Sequence, residues 1–138
     1  MSREGTSVEL LSGSMTTDER GESYFLFPEP VDIDLKSLHL VVTRPGQVRG
    51  NHAHPTRAEY LFCFGGEAEF YWEEAGELKR LPLGEEGRLI KIAPGIKHAY
   101  RNTGNRLSYI LACSGPRLAE GPERVSASII PETPVGHA

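Results

Sequence analysis

Three histidines and one glutamate lie at spacings that would let them hold a metal ion together. His52 and His54 are two residues apart, so on a β-strand both imidazoles would project from the same face. Glu59 begins the next apolar run, where a buried carboxylate needs a positive partner or a metal, and His98 follows a Pro-Gly turn. Three imidazole nitrogens and one carboxylate oxygen suit zinc, nickel, iron, copper or manganese. The pattern therefore predicts one divalent transition metal ion, with open positions for water or substrate.

Other polar side chains beside these ligands are candidates for catalysis or binding. Tyr100 shares a strand face with His98, and we interpret Tyr100 and Glu59 as the candidates for moving a proton. The alternative for Tyr100 is that it packs the wall of the fold. Arginines can hold a phosphate or carboxylate through a bidentate fork, and an amide can bind a hydroxyl. The candidate substrate contacts are Arg49, Arg57 and Asn102, although Asn102 could instead only close the turn after its strand.

Short β-strands would position these residues. Aromatic and β-branched residues alternate with polar ones in six runs, at 37–43, 59–64, 67–72, 88–92, 97–102 and 107–113. Gly- and Pro-containing turns separate them so closely that no crossover helix fits, which excludes a parallel α/β sheet. We therefore predict an all-β fold, a small antiparallel β-barrel or jelly roll (a double-stranded β-helix), with one or two more strands around 24–27.

Size and charge limit the classes of protein and partner. A chain of 138 residues with 38% hydrophobic and 25% charged residues predicts a single globular domain spanning 1–138. The net charge of −4 disfavours nucleic acid as a partner, and no apolar run approaches the roughly 20 residues of a membrane span. The N-terminus lacks the pattern of a signal peptide, and the two cysteines lie in apolar runs typical of buried thiols. We expect a cytoplasmic protein that binds a small-molecule ligand.

Two further features concern association. Residues 115–138 are rich in proline without a clear period, and we interpret them as an arm that packs on the surface or on a partner subunit. Disorder of its last residues is the alternative. Both faces of the runs at 60–64 and 108–113 are apolar, so one face would be free to meet a second copy. This pattern predicts a homodimer.

The two ligand-bearing segments resemble the two motifs of the cupin superfamily. The first motif is Gly, five residues, His-x-His, three or four residues, Glu, six residues, Gly; the second is Gly, five residues, Pro-x-Gly, two residues, His, three residues, Asn. The second motif departs only in its proline, which is displaced by one residue to Pro94. The resemblance covers 46–102 and implies a cupin jelly roll with the metal held by His52, His54, Glu59 and His98. The matching positions are Gly46, His52, His54, Glu59, Gly66, Gly87, Gly95, His98 and Asn102.

A narrower resemblance points to sugar chemistry. The segments 18–21 (DERG) and 49–52 (RGNH) resemble elements of the dTDP-sugar epimerase branch of cupins. The metal-binding cupin domain of a capsular-polysaccharide enzyme that acts on UDP-sugars also carries an RGNH segment followed by a second histidine. In branch members without metal, the histidine at the position of His52 is a base that removes a proton beside a ketone. Because His54 and Glu59 follow here, His52 is better placed as a ligand.

The resemblance implies a metal-dependent enzyme for a small polar substrate, and it favours a sugar or nucleotide-sugar isomerase or epimerase. The metal would act as a Lewis acid on adjacent substrate oxygens, and Tyr100 or Glu59, near the mouth, would move the proton. Two alternatives stay open. One is an iron-dependent dioxygenase with the same four ligands, and the other is a metal-bearing or small-ligand binding module without turnover.

Overall fold

The computed structural model describes residues 7–27 and 34–132, and all regular secondary structure in these ranges is β-strand. No helix that could cross a membrane occurs in them. The strand pairings in these ranges are antiparallel, as predicted. The strands are β1 Val8–Leu11, β2 Ser14–Asp18, β3 Gly21–Phe25, β4 Ser37–Thr43, β5 Val48–Ala53, β6 Glu59–Phe64, β7 Ala68–Glu74, β8 Glu77–Leu83, β9 Arg88–Ile92, β10 His98–Asn102, β11 Ser108–Ser114 and β12 Val125–Ser126.

The strands form two five-stranded sheets and a two-stranded ribbon. Sheet one has the order β1-β9-β6-β11-β4, sheet two has the order β12-β5-β10-β7-β8, and β2 pairs with β3 in the ribbon. Neighbouring strands in both sheets are mostly distant in sequence, as in a jelly roll. The predicted all-β jelly roll is confirmed. Over the described residues its strands pair as two separate sheets and not as one closed barrel.

The main core lies between the two sheets. Alternate residues of each strand point inward, because successive side chains of a strand face opposite sides of a sheet. Sheet one contributes Leu61, Ile90 and Ile110, while sheet two contributes Phe70 and Tyr100. Cys63 and Cys113 are buried free thiols, as their apolar surroundings predicted.

The outer face of sheet one is covered in part by the chain itself. Tyr60 and Phe62 pack there against Leu26 and Phe27, which follow the ribbon. Gly87 fits beneath this layer because a Cβ at that position would lie 2.2 Å from the ring of Phe62. The apolar face that predicted a homodimer is therefore partly occupied by the N-terminal segment. Its uncovered part lies on the edge strand β4, where the exposed side chains are Leu38, Leu40 and Val42.

The C-terminal arm packs back on its own chain as far as it is described. Strand β12 pairs with β5, opposite Ala53 and His52. The side chain of Asn51 donates to the carbonyl of Ile130 and accepts from the amides of Ile129 and Ile130. Residues 133–138, the last part of the arm, lie outside the described residues.

Candidate metal and active site

Three strands and the turn after one of them bring the sequence-predicted ligands together at one end of the space between the sheets. His52 lies in β5 and pairs with His98 in β10, so both belong to sheet two. His54 follows β5, and Glu59 begins β6 in the opposite sheet. A bulge between His98 and Ala99 and the positive φ angles of Gly50 (88°) and Asn51 (57°) bend the β5–β10 pair here. A Cβ at position 50 would lie 3.0 Å from the carbonyl oxygen of His98, which explains the glycine.

The four side chains converge on a single point. The Nε2 atoms of His54 and His52 are 3.2 Å apart. Oε1 of Glu59 lies 3.3 Å from Nε2 of His54 and 3.5 Å from Nε2 of His98. All four ligand atoms fall within 4.8 Å of one another. Ligand atoms about 2.1 Å from one ion stand about 3.0–3.4 Å apart at octahedral or tetrahedral angles, so the separations of 3.2 and 3.3 Å already fit a transition metal, and the longer ones would shorten on binding.

The hydrogen bonds behind two of these imidazoles fix which ring nitrogen faces the centre. Nδ1 of His54 lies 3.1 Å from the carbonyl oxygen of Glu123, and Nδ1 of His98 lies 2.9 Å from that of Ile96. A carbonyl oxygen only accepts, so Nδ1 donates in both rings. Nε2 of each ring then either carries a second proton, which it donates to the carboxylate of Glu59, or presents a lone pair towards that carboxylate. Lone pairs that face each other need a proton or a cation between them, and metal-binding histidines use this outer bond to a carbonyl.

The electrostatics of the cluster favour the protonation states that ligands need. Burial, together with the neighbouring imidazoles of His98 and His54, lowers the pKa of His52 to about 4, so His52 is neutral at neutral pH. Burial raises the pKa of Glu59, but the hydrogen bond with His98 and the surrounding imidazoles lower it by more. The pKa of Glu59 therefore lies below its usual value, and the side chain is ionised. Metal ions bind neutral imidazoles and ionised carboxylates.

The cluster opens into a cavity of about 380 Å³ between the sheets. This is the size expected for a small-molecule site. The walls are apolar, and basic side chains lie among the polar residues. The apolar lining includes Val41, Leu61, Phe70 and Ile110, and the basic lining outside the cluster is His39, Arg49 and Arg124.

Tyr100 lines this cavity on the face of His98, as its position along the strand predicted. Its hydroxyl is not at the mouth, however. The side chain is only 3% exposed, and the hydroxyl donates to Oγ of Ser108 at 2.6 Å. Burial raises the pKa of Tyr100 to about 12, so the phenol stays protonated. We expected Tyr100 to be a proton donor at the mouth of the cavity. Its protonated phenol lies instead in the cavity wall.

The three candidate substrate contacts lie in different places in the structure, and only one of them lines the cavity. Arg49 lines the cavity beside His52, because the positive φ angles before His52 interrupt the alternation of β5. Arg57 lies outside that cavity, in an adjoining depression, and donates to Glu123. Asn102 is fully buried, donates to the carbonyls of Thr43 and Arg106, and accepts from the amide of Gly104. Asn102 therefore closes the turn, and it is corrected from a substrate contact to a structural residue.

Comparison with known proteins places the chain in a family. Residues 7–115 match the family model FdtA, described as WxcM-like, C-terminal. The chain belongs to the FdtA family. No curated protein matches this chain. The cupin resemblance and its sugar branch are thereby confirmed at the level of family and fold.

Solved structures share the fold of this FdtA-family chain at low sequence identity. A dTDP sugar isomerase from Desulfovibrio desulfuricans G20 has 17% identity and a TM-score of 0.75, over 90% of this chain and 84% of the other. The 3,4-ketoisomerase QdtA from Thermoanaerobacterium thermosaccharolyticum, in an H51N mutant with TDP-4-keto-6-deoxyglucose, has 15% identity and a TM-score of 0.69, over 86% of each chain. The 3'-monoepimerase ChmJ from Streptomyces bikiniensis, in complex with dTDP-quinovose, has 17% identity and a TM-score of 0.70, over 87% of this chain and 69% of the other.

Sequence reasoning missed three residues of the site. His39 lines the cavity from β4, and the alternation of that strand could have placed it on the inward face with Val41. Glu123 and Arg124 belong to the arm, where the absence of a hydrophobic period left no signal. Both lie beyond the span that matches the FdtA family, which ends at residue 115.

Proposed function

We propose that the protein is a metal-dependent isomerase or epimerase of a nucleotide-linked keto-sugar. The observation that carries the proposal is the convergence of His52, His54, Glu59 and His98 at the end of a ligand-sized cavity. Membership of the FdtA family supports the assignment to sugar chemistry. The folds shared with a dTDP sugar isomerase, a 3,4-ketoisomerase and a 3'-monoepimerase support it too.

His52, His54, Glu59 and His98 would hold one divalent transition metal ion. When bound, the ion would supply Lewis acidity towards the oxygens of the substrate. The donor set supports this role because three imidazoles and a carboxylate face the same space, and backbone carbonyls orient two of the rings from behind. The donor set suits zinc, nickel, iron or manganese.

The protein's own groups would handle the proton. Glu59 in sheet one is ionised and can accept a proton, whereas Tyr100 in sheet two stays protonated and can only donate one. Both line the cavity. A proton taken from the carbon beside a ketone and returned to that carbon, or to its neighbour, would complete an epimerisation or an isomerisation. The apolar walls at Leu61 and Ile110 would keep competing water away from the reacting carbon.

Exchange with deuterated solvent tests the function. With metal-replete protein and TDP-4-keto-6-deoxyglucose in D₂O, we expect deuterium at a carbon next to the ketone, detected by NMR and by a mass increase. The inactive comparison is Glu59→Gln, which keeps the size of the side chain but removes the carboxylate that would serve both as metal ligand and as proton acceptor, and we expect no exchange with it. If no member of a panel of nucleotide-linked and free keto-sugars exchanges with the wild-type protein, the isomerase proposal fails. The iron-dependent dioxygenase or the binding module would then take its place.

We also propose a homodimer that uses the uncovered part of sheet one. Leu38, Leu40 and Val42 expose 65%, 56% and 40% of their surface on the outer side of β4. Contiguous exposed apolar side chains on a sheet edge are typical of association sites. Light scattering at micromolar concentration should give the dimer mass for the wild type and the monomer mass for Leu40→Glu. Leu78→Glu, an equally exposed position on β8, should stay dimeric. A monomeric wild type would contradict the proposal.

A further inference from the structure

The arm, residues 115–132, passes beside the mouth of the cavity and is anchored to the site itself. The carbonyl oxygen of Glu123 accepts from Nδ1 of His54. The carboxylate of Glu123 accepts from Nε of Arg57 at 3.0 Å and from Arg117 at 2.7 Å. One residue of the arm thus holds a cluster histidine from behind and is itself held by two cations.

The arm is also anchored by backbone hydrogen bonds to β5, directly after Arg124. Val125 and Ser126 form β12 and pair with Ala53 and His52. The amide of Ala127 then donates to the carbonyl of Asn51 at 2.8 Å. Arg124 therefore lies between two fixed points of the backbone, one at Glu123 and one at β12.

The backbone of Arg124 is fixed, but its side chain has no partner among the described residues. It is exposed and lines the cavity that contains the cluster, and no hydrogen bond or ion pair is found for it within 7–27 and 34–132. The carboxylates close to it are engaged elsewhere, Glu59 in the cluster and Glu123 with two arginines. A positive charge held at the mouth by its backbone and left unneutralised is suited to an anionic group of a ligand.

We propose that Arg124 binds the diphosphate of a nucleotide-sugar substrate and that the arm exists in part to hold it there. The inference rests on the proposed function, because a nucleotide-linked sugar is the ligand that carries this anion. A guanidinium presents a planar fork of N–H donors that matches phosphate oxygens. With the sugar at the cluster, the diphosphate would leave the cavity past Arg124. Arg124 lies beyond residues 7–115, the span that matches the family model.

Binding of dTDP and of thymidine, measured by titration calorimetry, tests the proposal. We expect Arg124→Gln to weaken dTDP binding about 10- to 100-fold, the range for loss of a charge-assisted contact, and to leave thymidine binding unchanged. Arg80→Gln is the matched control. Arg80 is an exposed arginine on β8 that pairs with Glu69 and lies outside the cavity lining, so its loss should change neither affinity.

A second variant tests the arm as a whole. Asn51→Gly removes the side-chain hydrogen bonds to Ile129 and Ile130, and glycine tolerates the positive φ of this position. We expect faster tryptic cleavage within the arm and a loss of dTDP affinity like that of Arg124→Gln, with the strand content unchanged by circular dichroism.

The outcomes separate this inference from the proposed function. If the wild type binds dTDP and Arg124→Gln binds it equally well, the inference is wrong and the proposed function stands. If the wild type binds dTDP no better than thymidine, the diphosphate is not recognised and the inference is again wrong. If the wild type neither binds dTDP nor exchanges deuterium into any sugar, both fail together.

Discussion

Replacing His54 with alanine is expected to abolish stoichiometric binding of a divalent transition metal while the β-fold stays intact. Nε2 of His54 contacts two of the other ligands, at 3.2 Å from Nε2 of His52 and 3.3 Å from Oε1 of Glu59. His54→Ala leaves only three of the four ligands, so we expect the affinity for the metal to fall. The core itself is aliphatic and aromatic, so folding does not depend on the ion. Metal content by elemental mass spectrometry and strand content by circular dichroism are the two measurements.

His39→Ala is the matched control for this experiment. His39 lines the same cavity but does not belong to the cluster, so its loss should leave the metal content unchanged. In the wild type, occupancy should fall as the pH is lowered, because protons compete with the metal for the imidazoles. Full occupancy in His54→Ala would show that the ligands are wrongly assigned. Full turnover without metal would instead favour His52, neutral at physiological pH, as a base.

Replacing Tyr100 with phenylalanine is expected to lower turnover by roughly 100-fold or more with the metal content unchanged, the usual scale for losing one acid or base. The pKa of Tyr100 is raised by burial to about 12, so the phenol is protonated throughout the working range and can act only as a donor. Steady-state rates of sugar conversion, beside metal analysis of the same samples, are the measurement.

Ser108→Ala separates chemistry from packing in this test. The hydroxyl of Tyr100 donates to Ser108, so Tyr100→Phe and Ser108→Ala both break the same hydrogen bond, at a cost of about 1 kcal/mol in the free energy of unfolding. Only Tyr100→Phe removes the phenolic proton. Turnover should therefore survive in Ser108→Ala. Equal losses of turnover in both variants, or none in Tyr100→Phe, would assign Tyr100 to the wall of the cavity.

The alternation of apolar and polar residues predicted most of the strands that carry the site. The runs at 37–43, 59–64 and 88–92 coincide with β4, β6 and β9, and the other three agree to within two residues. The spacing of His52, His54, Glu59 and His98, together with the cupin resemblance, predicted that they converge. Both kinds of prediction rest on local geometry, since a strand fixes the direction of each side chain relative to its neighbours.

Features set by contacts between distant segments were not predictable in this way. Strand β8 (Glu77–Leu83) is rich in charged residues and forms because β7 offers it an edge, and β12 forms because β5 does. Parity placed Tyr100 on the inward face but could not show that its hydroxyl reaches Ser108. The position of Arg124 depends on hydrogen bonds that no periodic pattern encodes.

The division of the cluster between the two sheets links ligand binding to the cohesion of the fold. Glu59 belongs to sheet one, whereas His52 and His98 belong to sheet two. If the proposed ion is bound, it would act as a cross-link between layers that otherwise meet mainly through apolar contacts. At a free concentration 100 times its dissociation constant, a ligand specific to the native state adds about 2.7 kcal/mol to the free energy of unfolding. Metal supply would then set how long each molecule survives heat and proteolysis, independently of any catalysis.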